Sequence, residues 1–384
     1  MLRLITAGES HGPGLTCLVE GLPAGLELDR EAIDRDMARR QLGHGRGGRM
    51  KIERDTAQVT AGVRHGRTLG SPIALQVANR DFANWQERMD PWPVAADVAE
   101  VHLPRPGHAD LAGVWKYGFT DVRDVLERAS ARETAARVAG GALCRAFLGA
   151  LGVEVRSHVT QIGPVRSPAR PADAAAFEGV DDDPVRCLDP EASRAMVAHI
   201  TAQRKANESI GGVFEVLAFG LVPGLGSHVS WEERLDGRLA GALCSIQACK
   251  GVEFGDGFAL AAAPGSQAHD EILPGLARET NHAGGLEGGM TTGEPLLVRA
   301  AMKPIPTLTK PLRSVDLGTG EPAQALRERT DSCVVPAAGV VGEAMVCFVL
   351  ADAYRRKFGG DHIDDVRAAV EAYRERVAGV AAPS

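Results

Sequence analysis

The stretch SARETAARVAGGALCRAFLGAL, residues 130–151, is the part of the chain that decides its fold. Apolar residues recur in it three and four positions apart, which is the period of one helix face. That face consists of Ala135, Val138, Ala139, Ala142, Leu143, Phe147 and Leu151. Because small residues occupy much of the face, neighbouring backbones can approach it closely. We therefore predict a helix that is buried against other elements of the fold.

Short β-type runs and helical runs alternate on both sides of this stretch. We predict strands at residues 15–20, 57–63, 72–78, 153–159, 213–221 and 295–302. We predict further helices at residues 30–42, 342–357 and 363–377. This mixture indicates an α+β or α/β fold with helices packed on sheets. Residues 167–190 are rich in Pro, Ala and Asp, so we expect an exposed insertion near them.

The composition also favours a core of small side chains. Of the 384 residues, 45 are glycines. That is about 12% of the chain, against an average usage of about 7%. Aromatic residues make up only 4%. The length allows one large domain or two. No apolar run approaches the roughly 18 residues that span a bilayer, and the N-terminal residues lack the apolar core of a signal peptide. We expect no membrane partner.

Charge and cysteine usage exclude further classes of protein. The formal net charge is −7, which argues against general binding of nucleic acid. The seven cysteines are odd in number and form neither a C-x-x-C pair nor a zinc-ligand spacing. In a chain of this size, that pattern predicts reduced thiols, a cytoplasmic location and no bound metal.

Arginines are concentrated in separated segments of this acidic chain. The first segment holds Arg39, Arg40, Arg46, Arg49 and Arg54, and the others hold Arg105, then Arg128 and Arg132, then Arg329. Guanidinium groups match the geometry of carboxylate and phosphate. Any one of these arginines is explained more simply as a surface charge. The set as a whole predicts that the segments converge on a site for a polyanion.

Two histidines and one carboxylate are candidates for proton transfer. His11 and His108 both stand among glycines, where a ligand can approach closely, although a histidine that bonds the backbone of a turn is the plainer alternative. Asp331 precedes a small, apolar segment, so it is either a partly desolvated base or a helix cap. Ser10 next to His11 does not form the G-x-S-x-G elbow of a serine hydrolase.

Residues 43–48, GHGRGG, satisfy the spacing G-x-G-x-x-G of a dinucleotide-binding loop. That fingerprint needs a strand before it and a helix after it. Here a predicted helix precedes the loop and a basic stretch follows it. We therefore reject a Rossmann fold and expect a basic loop that closes over an anion. Residues 284–293 form a second glycine-rich loop, which suits the covering of a cofactor.

Together, several segments resemble the chorismate synthase family. They are GESHG at residues 8–12, RPGHAD at 105–110, KYG at 116–118, SARETA at 130–135, GGLEGGMTTG at 284–293, KPIPT at 303–307 and DSCVVP at 331–336. Each segment is short, but their order and spacing along residues 8–336 make the resemblance specific.

The resemblance implies a fold, an activity and a cofactor. The expected fold is a β-α-β-α sandwich of the α+β class, formed by residues 1–384 as a single large domain and assembled as a homotetramer. The expected activity is the anti-1,4 elimination of phosphate from 5-enolpyruvylshikimate 3-phosphate (EPSP), which gives chorismate for aromatic amino acid synthesis. The reaction requires reduced FMN but has no net redox change. Some members reduce FMN with NADPH, but we see no NADPH domain and expect an external flavin reductase.

The resemblance also implies roles for individual residues. Substrate-binding residues would be Ser10, Arg40, Arg46, Arg49, Arg105, Ala131, Arg132 and Arg329. FMN-binding residues would be Arg128, Ala129, Ser130, Gln247, Ala248, Gly288, Lys303, Pro304, Ile305, Pro306, Thr307 and Arg329. His11 would give a proton to the departing phosphate. His108 would stabilise reduced flavin at its N1/O2 edge, and Asp331 would act through flavin N5 as base for the C6 proton.

Three positions depart from the pattern expected for the family. Glu127 stands where glycine is common, and a carboxylate beside a flavin phosphate would be repulsive. Thr330 stands where histidine is usual, which removes one proton relay to Asp331. Gln247 stands where asparagine is common. None of these departures deletes a proposed catalytic group.

Two other functions compete with an active enzyme. The first is a catalytically inactive protein that binds flavin or a polyanion, which the presence of His11, His108 and Asp331 together disfavours. The second is RNA binding through residues 43–51. That basic segment lacks the interleaved aromatic residues on which bases stack, so we expect no nucleic-acid partner.

Overall fold

The structure, a computed structural model, describes residues 1–47, 54–95, 97–328 and 331–381. The strands are β1 (Arg3–Ala7), β2 (Gly14–Glu20), β3 (Gln58–Ala61), β4 (Val63–Arg64), β5 (Arg67–Thr68), β6 (Ile73–Ala78), β7 (Glu154–Ile162), β8 (Val165–Arg166), β9 (Gly212–Phe219), β10 (Cys249–Phe254), β11 (Leu286–Glu287), β12 (Met290–Thr291), β13 (Leu296–Met302), β14 (Arg313–Val315) and β15 (Pro322–Gln324). The helices are α1 (Arg30–Gln41), α2 (Asp110–Tyr117), α3 (Arg123–Ala129), α4 (Thr134–Gly149), α5 (Pro190–Lys205), α6 (Leu235–Cys244), α7 (Gly265–Ala268), α8 (Val335–Phe358) and α9 (Ile363–Ala381).

Two antiparallel sheets form the outer layers of the fold. The first has the strand order β1-β2-β6-β3, and the second has the order β10-β13-β9-β7-β8. In the first sheet, alternate residues such as Cys17 and Leu75 are buried and stand opposite each other in the register. In the second, Val216 and Val298 do the same. This alternation of period two turns one face of each sheet toward the core.

Helices α4 and α8 fill the space between the sheets. Helix α4 packs on β2 and β6, helix α8 packs on β7 and β9, and the two helices pack on each other. In space the order is sheet, helix, helix, sheet, whereas along the chain sheets and helices alternate as β, α, β, α. The predicted α+β sandwich is confirmed.

Two adjacent glycines of α4 explain why its small residues matter. A Cβ atom on Gly140 would lie 2.7 Å from Cys17 Sγ, and one on Gly141 would lie 2.6 Å from Ala344 Cα. Gly140 therefore allows close approach to the first sheet, and Gly141 allows close approach to α8. The prediction that residues 130–151 form a buried helix holds from Thr134 onward.

Helix α8 begins at Val335, seven residues before the predicted helix at 342–357. By length and composition it is apolar enough to cross a membrane, because an 18-residue window has a mean hydropathy of 1.7. The expectation that no segment meets this test was therefore wrong. In the structure 94% of that window is buried against other parts of the chain, as in the core helix of a globular protein.

A buried ionic network crosses the centre of the helical layer. Glu343 of α8 accepts hydrogen bonds from Arg39 at 2.8 and 2.9 Å and from Arg186 at 3.0 Å, and it also pairs with Arg145. Burial alone would raise the pKa of Glu343, but the three arginines outweigh it and hold the pKa well below its usual range. We call these four residues the Glu343 network. It ties α1, α4 and α8 together.

Residues 167–190 lie over the outer face of the second sheet. Arg170, Asp173, Glu178 and Asp182 are exposed, but Phe177 and Val180 are buried and pack with Leu217 of β9. Asp181 accepts a hydrogen bond from Arg39 Nε at 2.8 Å. The segment that we expected to be an exposed insertion thus has apolar and ionic anchors in the fold.

Candidate active site

The turn between β1 and β2 carries Ser10 and His11 to the end of helix α3. The Ser10 N–H donates to the Glu127 carbonyl at 3.0 Å, and the His11 N–H donates to Glu127 Oε2 at 2.8 Å. Asn79 donates to the carbonyl groups of Glu9 and Gly12 at 3.0 and 2.8 Å. The turn is therefore held by backbone hydrogen bonds on both sides.

The imidazole of His11 lies between a carboxylate and an indole. Its Nδ1 is 3.0 Å from both Glu127 oxygens, and its ring stacks on Trp85 with centroids 4.0 Å apart. Glu127 also accepts a hydrogen bond from Arg123 at 2.7 Å. Burial alone would raise the pKa of Glu127, but its hydrogen bonds to His11 and the Arg123 charge lower the pKa. The carboxylate expected to repel a flavin phosphate is instead compensated by these two groups.

Two predicted anion-binding arginines share one buried carboxylate. Arg40, in the last turn of α1, donates to Asp55 at 3.2 Å, and Arg132 donates to both Asp55 oxygens at 2.7 and 2.6 Å. Arg132 also donates to Asn79 Oδ1 at 2.8 Å, which connects this pair to the Ser10 turn. Burial lowers the pKa of Arg40 to about 9, although Asp55 opposes the shift.

Arg46, on the loop that follows α1, forms a second ion pair with Asp331, which precedes α8. The nitrogen and oxygen of this pair are 2.7 Å apart. The Gly47 N–H also donates to Asp331. The charges of Arg46 and Asp331 act on Arg40, so this pair lies near the Arg40 guanidinium. Gly47 and Asp331 line a cavity of about 330 Å³. The remaining lining residues are Arg204, Asn207, Glu208, Ser209, Thr307, Leu308, Thr309 and Ser332.

Arg105 contacts Thr307, one of the residues that line this cavity. Its guanidinium donates to Asp110 at 2.9 and 3.2 Å and to Thr307 Oγ1 at 3.2 Å. His108 Nδ1 hydrogen-bonds to Asp110 Oδ1. Burial alone would raise the pKa of Asp110, but its hydrogen bonds to His108 and Arg105 lower the pKa well below the usual range. Asp110 therefore stays ionised and fixes both side chains.

Glu328 joins the two halves of the site. It accepts a hydrogen bond from Arg105 at 3.1 Å and lies 4.0 Å from Arg123, the partner of Glu127. A continuous series of contacts thus runs from His11 to His108. Of the other predicted residues, Arg49, Arg329 and Thr330 lie outside the residues that the structure describes.

Hydrogen bonds hold most of the residues predicted to bind FMN. Arg128 donates to the Thr6 and Gly8 carbonyl groups at 2.9 and 3.2 Å, and Gln247 donates to Glu133 at 3.4 Å. Lys303 connects by its backbone N–H to the Ala248 carbonyl at 3.0 Å and by its ammonium to the Gly107 carbonyl. Ala129 and Ser130 follow Arg128, and Ile305 accepts from Ser209 at 2.7 Å between Pro304 and Pro306.

The hydrogen-bond donors and acceptors of these residues fit a flavin mononucleotide. The Oε1 atom of Gln247 is buried, and no hydrogen-bond partner for it exists within the described ranges. Ala248 adopts a left-handed backbone, with φ of +66°, directly beside it. A flavin ring carries N–H groups that suit a buried amide oxygen, and the Lys303 and Arg128 cations suit its phosphate and polar edge.

A profile of the chorismate synthase family matches residues 2–354. The chain belongs to the chorismate synthase family. A chorismate synthase of Moorella thermoacetica is 58% identical over 379 residues, which cover 98% of this chain and 99% of that protein. One of Acidothermus cellulolyticus is 57% identical and covers 97% and 98%. A crystal structure of chorismate synthase is 41% identical, covers 98% of both chains and superposes with a TM-score of 0.79.

One predicted flavin contact stands apart from the others in this chorismate synthase fold. Gly288 lies at the turn between β11 and β12, where the neighbouring Gly289 carbonyl accepts from the N–H of Leu235 at the start of α6. Gln247 follows the other end of α6, whose ten residues span about 15 Å. Gly288 therefore lies well away from Gln247 within this chain.

Sequence reasoning missed several side chains that complete the candidate active site. They are Asp55, Asn79, Trp85, Asp110 and Arg123. Asp110 closes the quoted segment RPGHAD, so its place next to Arg105 and His108 was a usable signal. Asp55 follows directly on the basic run of residues 39–54 and was another. Nothing in the sequence around Trp85 indicates that it stacks on His11.

Proposed function

We propose that this member of the family converts EPSP to chorismate and phosphate by anti-1,4 elimination, in the presence of reduced FMN. One observation carries the proposal. Arginines from three distant segments, Arg40, Arg105 and Arg132, lie with His11 and His108 along one connected series of contacts. EPSP carries two carboxylates and a phosphate, and such a site suits a substrate with several anionic groups.

The arginines bind and orient the substrate. Asp55 holds Arg40 and Arg132 in fixed positions, and Asp110 does the same for Arg105. Because these guanidinium groups are already positioned by carboxylates, they lose little freedom when an anion arrives. Ser10 lies on the turn between β1 and β2, and Ala131 lies on the short turn that precedes α4. The Ala131 carbonyl accepts a hydrogen bond from Arg40 at 3.2 Å. We place Arg46, Arg49 and Arg329 in the same role.

The departing phosphate receives a proton from His11. The Nδ1 of His11 bonds to Glu127, so we assign the proton transfer to Nε2, the nitrogen on the other side of the ring. Asp331, held by Arg46 and the Gly47 N–H beside the cavity, accepts the proton that leaves C6. One group thus gives a proton and another takes one, so the net charge of the protein does not change.

Residues 128–130, 247–248 and 303–307 would hold FMN, with Gly288 and Arg329 as further predicted contacts. Reduced FMN, when bound, supplies electron density to the allylic system of the substrate as the C–O bond breaks. His108 stabilises the anionic edge of the reduced ring, and its hydrogen bond to Asp110 fixes its orientation.

The deciding measurement is anaerobic release of phosphate from EPSP with photoreduced FMN. The wild-type protein is expected to turn over. His11→Gln and Asp331→Asn are each expected to lower kcat by about 10²–10⁴-fold, the usual contribution of a general acid or base. His65→Asn, at an exposed turn, is the matched control and keeps wild-type activity. Near wild-type turnover in both site variants would show that the assigned roles are wrong.

The competing function is an inactive protein that binds flavin or a polyanion. It predicts that FMN and EPSP bind with measurable affinity, while no phosphate is released at any enzyme concentration. The same assay separates the two functions, because titration of FMN fluorescence reports binding independently of turnover.

Three further properties belong to this proposal. FMN is reduced by an external flavin reductase, so anaerobic assay with NADPH as sole reductant is expected to give no turnover. The protein acts in the cytoplasm, which agrees with all seven cysteines being free thiols. It assembles as a homotetramer, and light scattering would then give about four times the mass of one chain.

A further inference from the structure

Glu127 lies at the Nδ1 edge of the His11 imidazole, and Nε2, to which the proposed function assigns the proton transfer, is on the other side of the ring. The carboxylate is 3% exposed and bonds to His11 twice, through Nδ1 and through the backbone N–H. It belongs to helix α3, whereas His11 belongs to the turn between β1 and β2. The contact therefore joins two segments separated by 116 positions in the chain, and it sets both the position and the rotation of the imidazole.

The surroundings of this pair are built on several elements. Arg123, one turn earlier on α3, bonds to Glu127 at 2.7 Å, and its guanidinium lies 4.9 Å from the centre of the Trp85 ring. Trp85 stacks on one face of the His11 ring, and Arg88 lies 5.6 Å from the centre of the same indole. Glu328 is the next charged group, 4.0 Å from Arg123. Within the described residues, Arg88, Arg123 and Glu328 are charged groups with known contacts around the His11–Glu127 pair.

Resting on the proposed function, we infer that Glu127 is a positioning residue that keeps His11 in the form and orientation needed to protonate the leaving phosphate. Nδ1–H donates to the carboxylate, so the proton to be transferred is held on Nε2. Trp85 prevents the ring from tilting away. Glu127 itself gives up no proton and contacts no substrate atom.

The proton count closes without further reactants. His11 Nε2 gives its proton to a phosphate oxygen as the C–O bond breaks, and the imidazole becomes neutral. Asp331 receives the proton from C6. Exchange with water restores His11 and Asp331 to their starting forms, and phosphate and chorismate leave. Glu127 stays ionised throughout, because its hydrogen bonds to His11 and the charge of Arg123 favour the carboxylate.

The test compares Glu127→Gln with Asp124→Asn, an exposed carboxylate on the same helix. Glu127→Gln is expected to lower kcat about tenfold or more, with little change in KM for EPSP. The alkaline limb of its kcat profile is expected to move to lower pH, because a protonated imidazole loses its anionic partner. Asp124→Asn keeps the wild-type profile. Glu127→Asp, which retains the charge, restores the limb toward the wild-type position.

A second readout follows His11 without turnover. Trp92, Trp115 and Trp231 are exposed, so their replacement by Phe leaves Trp85 as the reporter. A protonated imidazole stacked on an indole quenches its emission, so pH titration of fluorescence follows His11. We expect one transition, which disappears in His11→Gln and moves to lower pH in Glu127→Gln.

The outcomes separate this inference from the proposed function. If the transition and the alkaline limb stay in place in Glu127→Gln, the inference is overturned, even if activity or thermal stability falls. If the transition moves while the unaltered protein releases no phosphate from EPSP, the coupling of Glu127 to His11 stands and the proposed function is the part that fails.

Discussion

Asp55 shows how one residue can organise the proposed anion site before any anion binds. It is fully buried at its side chain, and it accepts hydrogen bonds from both Arg40 and Arg132. Two buried guanidinium groups next to each other repel, and the burial of Arg40 already lowers its pKa to about 9. The Asp55 carboxylate offsets this repulsion. Together, the two arginines and Asp55 carry one net positive charge, which would attract the proposed substrate.

We predict that Asp55→Asn destabilises the fold by about 3–5 kcal/mol, the usual effect of breaking a buried pair and leaving a charge uncompensated. Denaturant unfolding measures this change. The control is Asp34→Asn, which removes a carboxylate that pairs with the exposed Arg30 and should change stability by about 1 kcal/mol or less. Equal effects of the two substitutions would contradict the role of Asp55.

At the scale of single residues, the sequence was informative where the type of a residue already indicates what it can bind, as it does for arginine. The segments around Arg40, Arg105 and Arg132 were predicted to converge, and the structure links them through contacts. The carboxylates that hold them were missed, because a carboxylate close to an arginine in sequence says nothing about which arginine it meets in space. Asp55 bonds to Arg132, 77 positions away.

At the scale of elements, the crossing of α4 and α8 depends on a missing side chain. A Cβ atom at Gly141 would lie 2.6 Å from the Cα atom of Ala344, which is far inside van der Waals contact. One of the two helices would have to move. Because α4 also rests on the first sheet and α8 on the second, such a movement would disturb both layers.

We predict that Gly141→Ala lowers the free energy of unfolding by about 1–3 kcal/mol, as expected for overpacking of a core. Gly149→Ala is the matched control on the same helix. A Cβ at Gly149 meets nothing within 4 Å, so this change should be neutral or stabilising by up to about 1 kcal/mol. Comparing the two variants by denaturant unfolding isolates the crossing from helix propensity.

The ends of helices and strands were predicted well where the hydrophobic periodicity is regular. The predictions failed where local chemistry overrides that periodicity. The strands predicted at 72–78 and 295–302 each begin one residue later in the structure. The start of α8 was missed because Pro336 and Gly339 resemble helix breakers, yet proline fits the first turn of a helix. Residues 131–133 form a tighter 3₁₀ turn capped by Ser130, and this turn aims Arg132 at Asp55.

At the scale of the whole molecule, buried carboxylates decide how the protein responds to acid. The pKa values of Glu343, Asp110, Glu127, Glu215 and Asp352 are all lowered in the folded state by paired cations or hydrogen bonds. Groups of this kind contribute stability that is fully present above their unfolded pKa values of about 4. That stability is lost as pH falls toward the folded values.

We therefore predict that the free energy of unfolding is nearly constant from pH 7 to about pH 5 and falls steeply below about pH 4. Glu343→Gln should flatten the acid slope and lower stability at pH 7 by about 3–5 kcal/mol, because Arg39, Arg145 and Arg186 lose their common partner. Denaturant unfolding at a series of pH values measures both effects. An unchanged slope in this variant would contradict the assignment.

Periodicity and composition predicted only that helices pack on sheets, and the β-α-β-α sandwich was predicted from the family resemblance. The Glu343 network was not, because Arg39, Arg145, Arg186 and Glu343 share no motif. It forms only once four elements are assembled, so its members look like ordinary surface charges in the sequence.

Arg39 and Arg40 stand side by side at the end of α1, yet they reach into different compartments. Successive residues of a helix point about 100° apart, so Arg39 enters the Glu343 network while Arg40 enters the anion site. The same turn of backbone thus connects the buried Glu343 network with the proposed anion site. Deuterium uptake at the amides of this turn should be among the slowest in the molecule, and a ligand that grips Arg40 should slow it further.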